Sequence, residues 1–157
     1  MDFDHIIKFS PKELYEKAHT FEQSNEEIFW FYMIMSANYG YESAKNYLDE
    51  YRIRFWLLKD HKVSNTEIYN NSVCCLAQMY YNGYCIPINI NKALELYEIA
   101  INNGSDVAMG ILLHTYINNH HPINDEIIKL FECSIENNNY NTKLIDVLAD
   151  AYFLTPP

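Results

Sequence analysis

Apolar residues four apart recur in three segments that can be laid over one another. Ile68, Ser72, Leu76 and Tyr80 form the first, Gly104, Ala108, Leu112 and Tyr116 the second, and Tyr140, Leu144, Leu148 and Tyr152 the third, each thirty-six residues after the last. Residues spaced by four share one side of an α-helix, so each segment predicts a helix with a buried stripe. A second pattern lies between them. Ala93, Leu96, Tyr97 and Ala100 follow the i, i+3, i+4, i+7 spacing of another inward face, and Ile127, Leu130, Phe131 and Ser134 repeat it. Small residues at Ser72, Ala93, Ala100 and Ala108 let antiparallel helices approach closely. Gly104 stands where a helix end favours the left-handed conformation, and Asn138, the next best residue there, takes the equivalent place.

The same grammar continues upstream. Phe29, Tyr32, Met33 and Ser36 mark an inward face closed by Gly40, and Ala44 and Leu48 carry the stripe into the next helix. Ser10-Pro11-Lys12-Glu13, Ser24-x2-Glu27 and Ser64-x2-Glu67 read as capping boxes. The connection from Gly83 to Lys92 holds a glycine turn, Pro87 and an Asn89 cap. These signals predict helices near 11–23, 25–39, 41–59, 65–82, 90–103, 105–118, 124–138 and 141–153. The stretch 41–59 is read as one long helix because Arg52 falls where the repeat would place Tyr, and the partner helix of that unit is shortened or absent. Pro156-Pro157 stops the last helix.

A repeat of this length marks a stacked, solenoidal architecture, whose product is an extended surface and not a closed pocket. The chain reads as one all-α repeat domain over 1–157, with irregular units in 10–64, the clearest repeats in 65–104 and 105–139, and a capping helix at 141–153. With 14 Tyr and 8 Phe against 4 Gly and 5 Pro, the composition fits helices on short turns better than a sandwich or barrel.

Charge narrows the class of partner. The formal net charge of −10 repels phosphate backbones and anionic lipid surfaces, so neither nucleic acid nor a membrane is an expected partner. No apolar run reaches the roughly 20 residues of a membrane span, and charged residues through the first twenty positions exclude a signal-peptide core. Cys74, Cys75, Cys85 and Cys133 form no CxxC pair, which predicts reduced, buried thiols in a cytoplasmic setting. The heavy use of Asn, Ile and Tyr, with scarce Ala, Gly and Arg, is the mark of an AT-rich genome, such as those of some large DNA viruses or protists. A viral chain would act in the host cytoplasm or the virion.

At residues 68 to 116 the chain resembles the Sel-one-like repeat family, a tetratricopeptide-like branch built of antiparallel helix pairs. The resemblance rests on Ser72, Leu76, Ala77, Tyr80, Gly83, Ile86, Asn89, Lys92, Ala93, Tyr97, Ala100, Gly104 and Ala108. Cys85 departs from the family's second loop glycine and Asn89 from its aspartate. The resemblance implies a right-handed α-solenoid of about eight helices that binds a protein or peptide partner on its concave face, as an adaptor or scaffold subunit without catalysis. Alignment on Leu76 and Tyr80 places Asn71, Cys74, Gln78, Tyr81 and Asn82 on that face. The following units contribute Val107, Gly110, His114 and Ile117, then Lys143, Asp146, Asp150 and Phe153. Gln78, His114 and Asp150 would make one polar row, and Gly110 would admit close approach of a ligand.

No constellation for chemistry competes with this reading. His114, His120 and His121 lack acidic or Cys partners at metal-binding spacing. Cys74 and Cys75, adjacent on a helix, point about 100° apart. Glu26-Glu27, Asp49-Glu50 and Asp125-Glu126 sit at helix starts or on polar faces, where dipole compensation and solvation account for them. No catalytic residue, metal or cofactor is therefore expected, and an enzyme with a Cys–His or metal site assembled by the fold ranks as the last of three readings. The outward Ile145, Val147 and Phe153 of the last helix add a second expectation, self-association as a structural or assembly component.

Overall fold

Residues 3–53, 57–60, 62–118, 123–137 and 142–154 are described by a computed structural model, and every regular element among them is an α-helix. These are α1 (Phe3–Ile6), α2 (Pro11–Phe21), α3 (Glu26–Asn38), α4 (Glu42–Glu50), α5 (Asn65–Asn82), α6 (Ile90–Asn102), α7 (Asp106–Asn118), α8 (Asp125–Asn137) and α9 (Thr142–Leu154). The short α1 carries no sequence signal. Seven of the eight expected helices appear near their expected limits, and the eighth is cut short.

Helix starts follow cap chemistry. Ser10 and Glu13 form a full capping box, each side chain satisfying the other's backbone N–H, with Pro11 in the first turn. Ser64 caps α5 by accepting from the Glu67 N–H at 3.1 Å, and Asn89 caps α6 by accepting from Lys92 at 3.0 Å. The box expected at Ser24 is corrected by one residue. Asn25 is the cap, its side chain accepting from the Ile28 N–H at 3.0 Å, because Asn competes as well as Ser for that role.

Helix ends share one closing motif. Gly40, Gly83 and Gly104 adopt φ of 92°, 72° and 81°. The next residue donates its N–H five residues back in each case: Tyr41 to Ser36, Tyr84 to Met79 and Ser105 to Ala100. Arg52 closes α4 in the same way, with φ 59° and an Ile53 N–H bond to the Leu48 carbonyl at 3.1 Å. This overturns the long helix expected over 41–59. Both Leu48 and Ile53 are fully buried, and that apolar pairing across the turn holds Arg52 in a backbone region that L-residues otherwise avoid. Cys85 stands at φ 63°, a left-handed conformation that glycine adopts more readily. Asn138 lies outside the described residues.

The chain divides into two compact units, Met1–Leu96 and Tyr97–Pro157. In the first, α2, α4 and α5 all pack on α3. The sequence of α3 explains its central place: Phe29, Trp30, Phe31, Met33, Ile34, Met35 and Ala37 are all buried, and a helix apolar all round needs neighbours on every side. Its last residue, Asn38, is fully buried and fully used. The amide donates to Ser72 Oγ at 2.8 Å, while Oδ1 accepts from the Leu58 backbone N–H at 2.8 Å and from Asn71 Nδ2 at 3.2 Å. Ser72 passes the chain on to the Ile68 carbonyl at 2.8 Å. In the second unit, α7 and α8 both pack on α9. Phe131, Leu144 and Ala151 are fully buried there, and the Ser134 hydroxyl donates to the Ile101 carbonyl.

Two substitutions test this frame by chemical denaturation. Arg52→Gly relieves a strained φ without losing a contact and raises stability by about 0.5–1 kcal/mol, whereas Arg52→Ala does not. Asn38→Ala strands the Leu58 N–H and lowers stability by about 2–3 kcal/mol.

Candidate functional site

Of the residues expected on a binding face in the first unit, few are open. Cys74 is only 2% exposed, which removes it from any surface: α5 buries Tyr69, Asn70, Val73 and Ala77 as well as its Leu76 stripe, so the helix is enclosed on more than one side. Asn71 is half-buried and bonded to Asn38 and to Cys75 Sγ. Gln78 and Tyr81 are half-buried, and exposed Asn82 donates its amide to the Gln78 carbonyl at 2.9 Å.

The second unit differs. On α7, Val107 is 54% and Ile117 41% exposed, His114 is exposed, and all three lie opposite the buried Ala108 and Leu112. Gly110 sits on the same face, and a side-chain carbon there would meet nothing within 4 Å. Packing therefore gives no reason for a glycine at this position. On α9, Lys143, Asp146 and Asp150 are exposed and Phe153 is 89% exposed, opposite the buried Leu144 and Ala151. The Lys143 ammonium lies 4.0 Å from the Asp106 carboxylate, so the first turns of the adjoining α7 and α9 lie side by side. Of the row Gln78, His114 and Asp150, the first belongs to one unit and the other two to the second.

The thiols split into two kinds. Cys74 and Cys75 are buried and form no disulfide, with burial and then the neighbouring Cys74 pushing the Cys75 thiol well above its ordinary value, where it is inert. Cys85 and Cys133 are free but exposed, contrary to the expectation of buried thiols, because each falls outside a buried stripe. Among the described residues no group of three or more His, Cys, Asp or Glu is placed to hold a metal ion, and no helix is long and apolar enough to cross a membrane. His120 and His121 lie outside the described residues.

Two clusters in the first unit escape the repeat pattern. In one, the Tyr80 hydroxyl donates to Glu27 Oε2 at 2.8 Å and Lys92 Nζ lies 3.4 Å from Glu27 Oε1. The first turn of α3 is thereby tied to the end of α5 and the start of α6. In the other, Phe29, Trp30, Tyr47 and Tyr51 line an open cleft of about 390 Å³ with Glu22, Glu26 and Cys85. Their rings touch in sequence: Phe29 and Trp30 centroids are 4.8 Å apart, Trp30 and Tyr51 5.1 Å, and Tyr47 and Tyr51 5.4 Å. The signal was present in Phe29-Trp30-Phe31-Tyr32 and in the i, i+4 pair Tyr47 and Tyr51, but aromatic spacing of that kind reads as core.

Comparison with known protein families, curated proteins and solved structures finds no match to this chain.

Burial, followed by the hydrogen bond to and charge of Glu27, raises the Tyr80 phenol above its ordinary 10.0. Burial first, then Tyr51 and Glu22, raise Tyr47 likewise. A raised phenol favours the neutral form in the folded state, so its contribution is complete below pH 10 and is lost as the pH climbs above it. Denaturant titrations at rising alkaline pH should show stability falling in the wild type and falling less steeply in Tyr80→Phe.

Proposed function

We propose that this chain is a non-catalytic protein–protein interaction module, an adaptor or scaffold subunit built as a right-handed α-solenoid of Sel-one-like helix pairs. Three features support the repeat reading. Gly40, Gly83 and Gly104 share one helix-closing geometry; Ala93, Leu96, Tyr97 and Ala100 are buried as a set, as are Ile127, Phe131 and Ser134 in the following copy; and α7 and α9, the first helices of successive units, adjoin with their starts together. A protein or peptide is the partner this reading assigns, with no nucleic acid and no membrane surface, since the net charge of −10 disfavours both.

One observation carries the binding role. The α7 helix is apolar almost all round, yet Val107 and Ile117 remain exposed on the face that also holds Gly110 and His114. A helix of that composition is ordinarily enclosed, so the open face is the natural seat of a partner segment. Lys143, Asp146 and Asp150 on the adjoining α9 supply polar groups for its backbone and side chains.

A second reading has its own observation. Ile145 and Tyr152 on α9 are 41% and 49% exposed beside the almost fully exposed Phe153, which suits a contact between copies of this chain in a structural assembly.

The experiment pairs affinity capture with sedimentation. The combined Val107→Ser, His114→Ala, Ile117→Ser variant, checked for unchanged helicity, should weaken binding of captured partners about tenfold or more. Undiminished partner binding sinks the α7 face. A sedimentation coefficient that falls in Phe153→Ser favours self-association, and a strictly monomeric wild type at high concentration removes it.

A further inference from the structure

The aromatic cleft lies in the first unit, whereas α7 and α9 belong to the second. Phe29 and Trp30 are buried behind it at 3% and 4% exposure, while Tyr51 is exposed and Tyr47 half-buried. The reachable wall is therefore the tyrosine pair. Carboxylates stand beside this wall, and among the described residues no lysine or arginine lines the cleft. Glu22 accepts from the Tyr47 hydroxyl at 3.3 Å through one oxygen and faces His19 Nδ1 at 3.2 Å through the other. Glu26 lies in the first turn of α3, and among the described residues no hydrogen bond or ion pair engages it. Adjacent Glu27 differs, being held by both Tyr80 and Lys92, whereas among the described residues no cation reaches Glu26.

We propose that this cleft binds an arginine side chain presented by a basic peptide segment, its guanidinium laid against Tyr47 and Tyr51 and its N–H groups directed to Glu22 and Glu26. An aromatic wall next to carboxylates that no lysine or arginine among the described residues neutralises attracts an organic cation on two counts, through the ring quadrupoles and through charge. The ring geometry selects among cations. A quaternary ammonium is held where rings stand apart around a cavity, whereas these rings pack on one another with centroids 4.8 to 6.3 Å apart and leave one continuous wall. A lysine ammonium is compact and strongly hydrated, and gains little from a flat surface. Guanidinium is planar, weakly hydrated and able to stack on a ring while its edge donates to carboxylates. An anionic ligand would meet Glu22 and Glu26 directly.

The Trp30 indole N–H makes no hydrogen bond to the described residues and the ring lines the cleft, so its resonance reports what arrives there. The full chain is titrated with a capped tripeptide holding one arginine, and with its lysine and citrulline counterparts, following that resonance, assigned by its loss in Trp30→Phe. The arginine peptide should shift it saturably, the lysine peptide should bind several-fold more weakly, and the neutral citrulline peptide should not bind. Glu22→Gln and Glu26→Gln, both on exposed side chains, should each weaken the arginine peptide about three- to tenfold. Tyr51→Ala should weaken it while Tyr51→Phe should not, and Glu126→Gln on α8 should leave it unchanged. The proposal is overturned if the arginine peptide gives no saturable shift, if lysine or citrulline serves equally well, or if Glu126→Gln weakens binding as much as Glu22→Gln and Glu26→Gln do.

Discussion

The carboxamide of Asn38 ties together three segments that no continuous helix could join. It ends α3, it faces α5 through Ser72 and Asn71, and it satisfies the backbone N–H of Leu58 in a stretch without regular structure. A backbone group outside a helix needs a partner when it is drawn into the core, and a side-chain amide with one acceptor and two donors is well suited to supply it. Once Asn38 holds Leu58, the described residues between α4 and α5 need no regular structure of their own to satisfy that buried backbone group.

Arg52 is the other half of that arrangement. Turning the chain out of α4 requires one left-handed residue, and the burial of Leu48 against Ile53 holds it there even though the residue carries a side chain. At Gly40, Gly83 and Gly104 the same turn is written in the sequence, because glycine is the residue that adopts it at no steric cost. At Arg52 and Cys85 it is not, since nothing about an arginine or a cysteine announces a positive φ; only the tertiary frame demands it. This is why the closing glycines, the Ser10 box and the Asn89 cap were legible from residue types, while the end of α4 was not.

The candidate surfaces divide along the same line. Alignment with a repeat register placed Val107, His114 and Ile117 on a concave binding face; the structure shows that all three are exposed on α7, away from Ala108 and Leu112, because a stripe of period 3.6 determines its opposite side as firmly as itself. The register failed at Cys74, since α5 buries residues beyond its stripe, and a single helix pattern carries no information on how many neighbours enclose it. The cleft of Tyr47 and Tyr51 was invisible for a related reason. Its members come from α3, α4 and three connections, and none of those segments alone distinguishes a ring facing the core from a ring facing solvent.

Two comparisons within the chain give these surfaces their meaning. Helices α3 and α7 are both apolar nearly all round, yet α3 receives three helical neighbours while α7 keeps Val107 and Ile117 exposed. Sequence composition is matched and enclosure is not, so the exposure of α7 is set by what surrounds it and not by its own polarity. Glu26 and Glu27 make the parallel case for charge. They adjoin on one helical turn, where the α3 dipole favours both, but among the described residues only Glu27 is drawn into a structural bond network. A carboxylate left out of such a network while it lines an aromatic cleft contributes little to folding, and its electrostatic value is retained for a cation that arrives from outside.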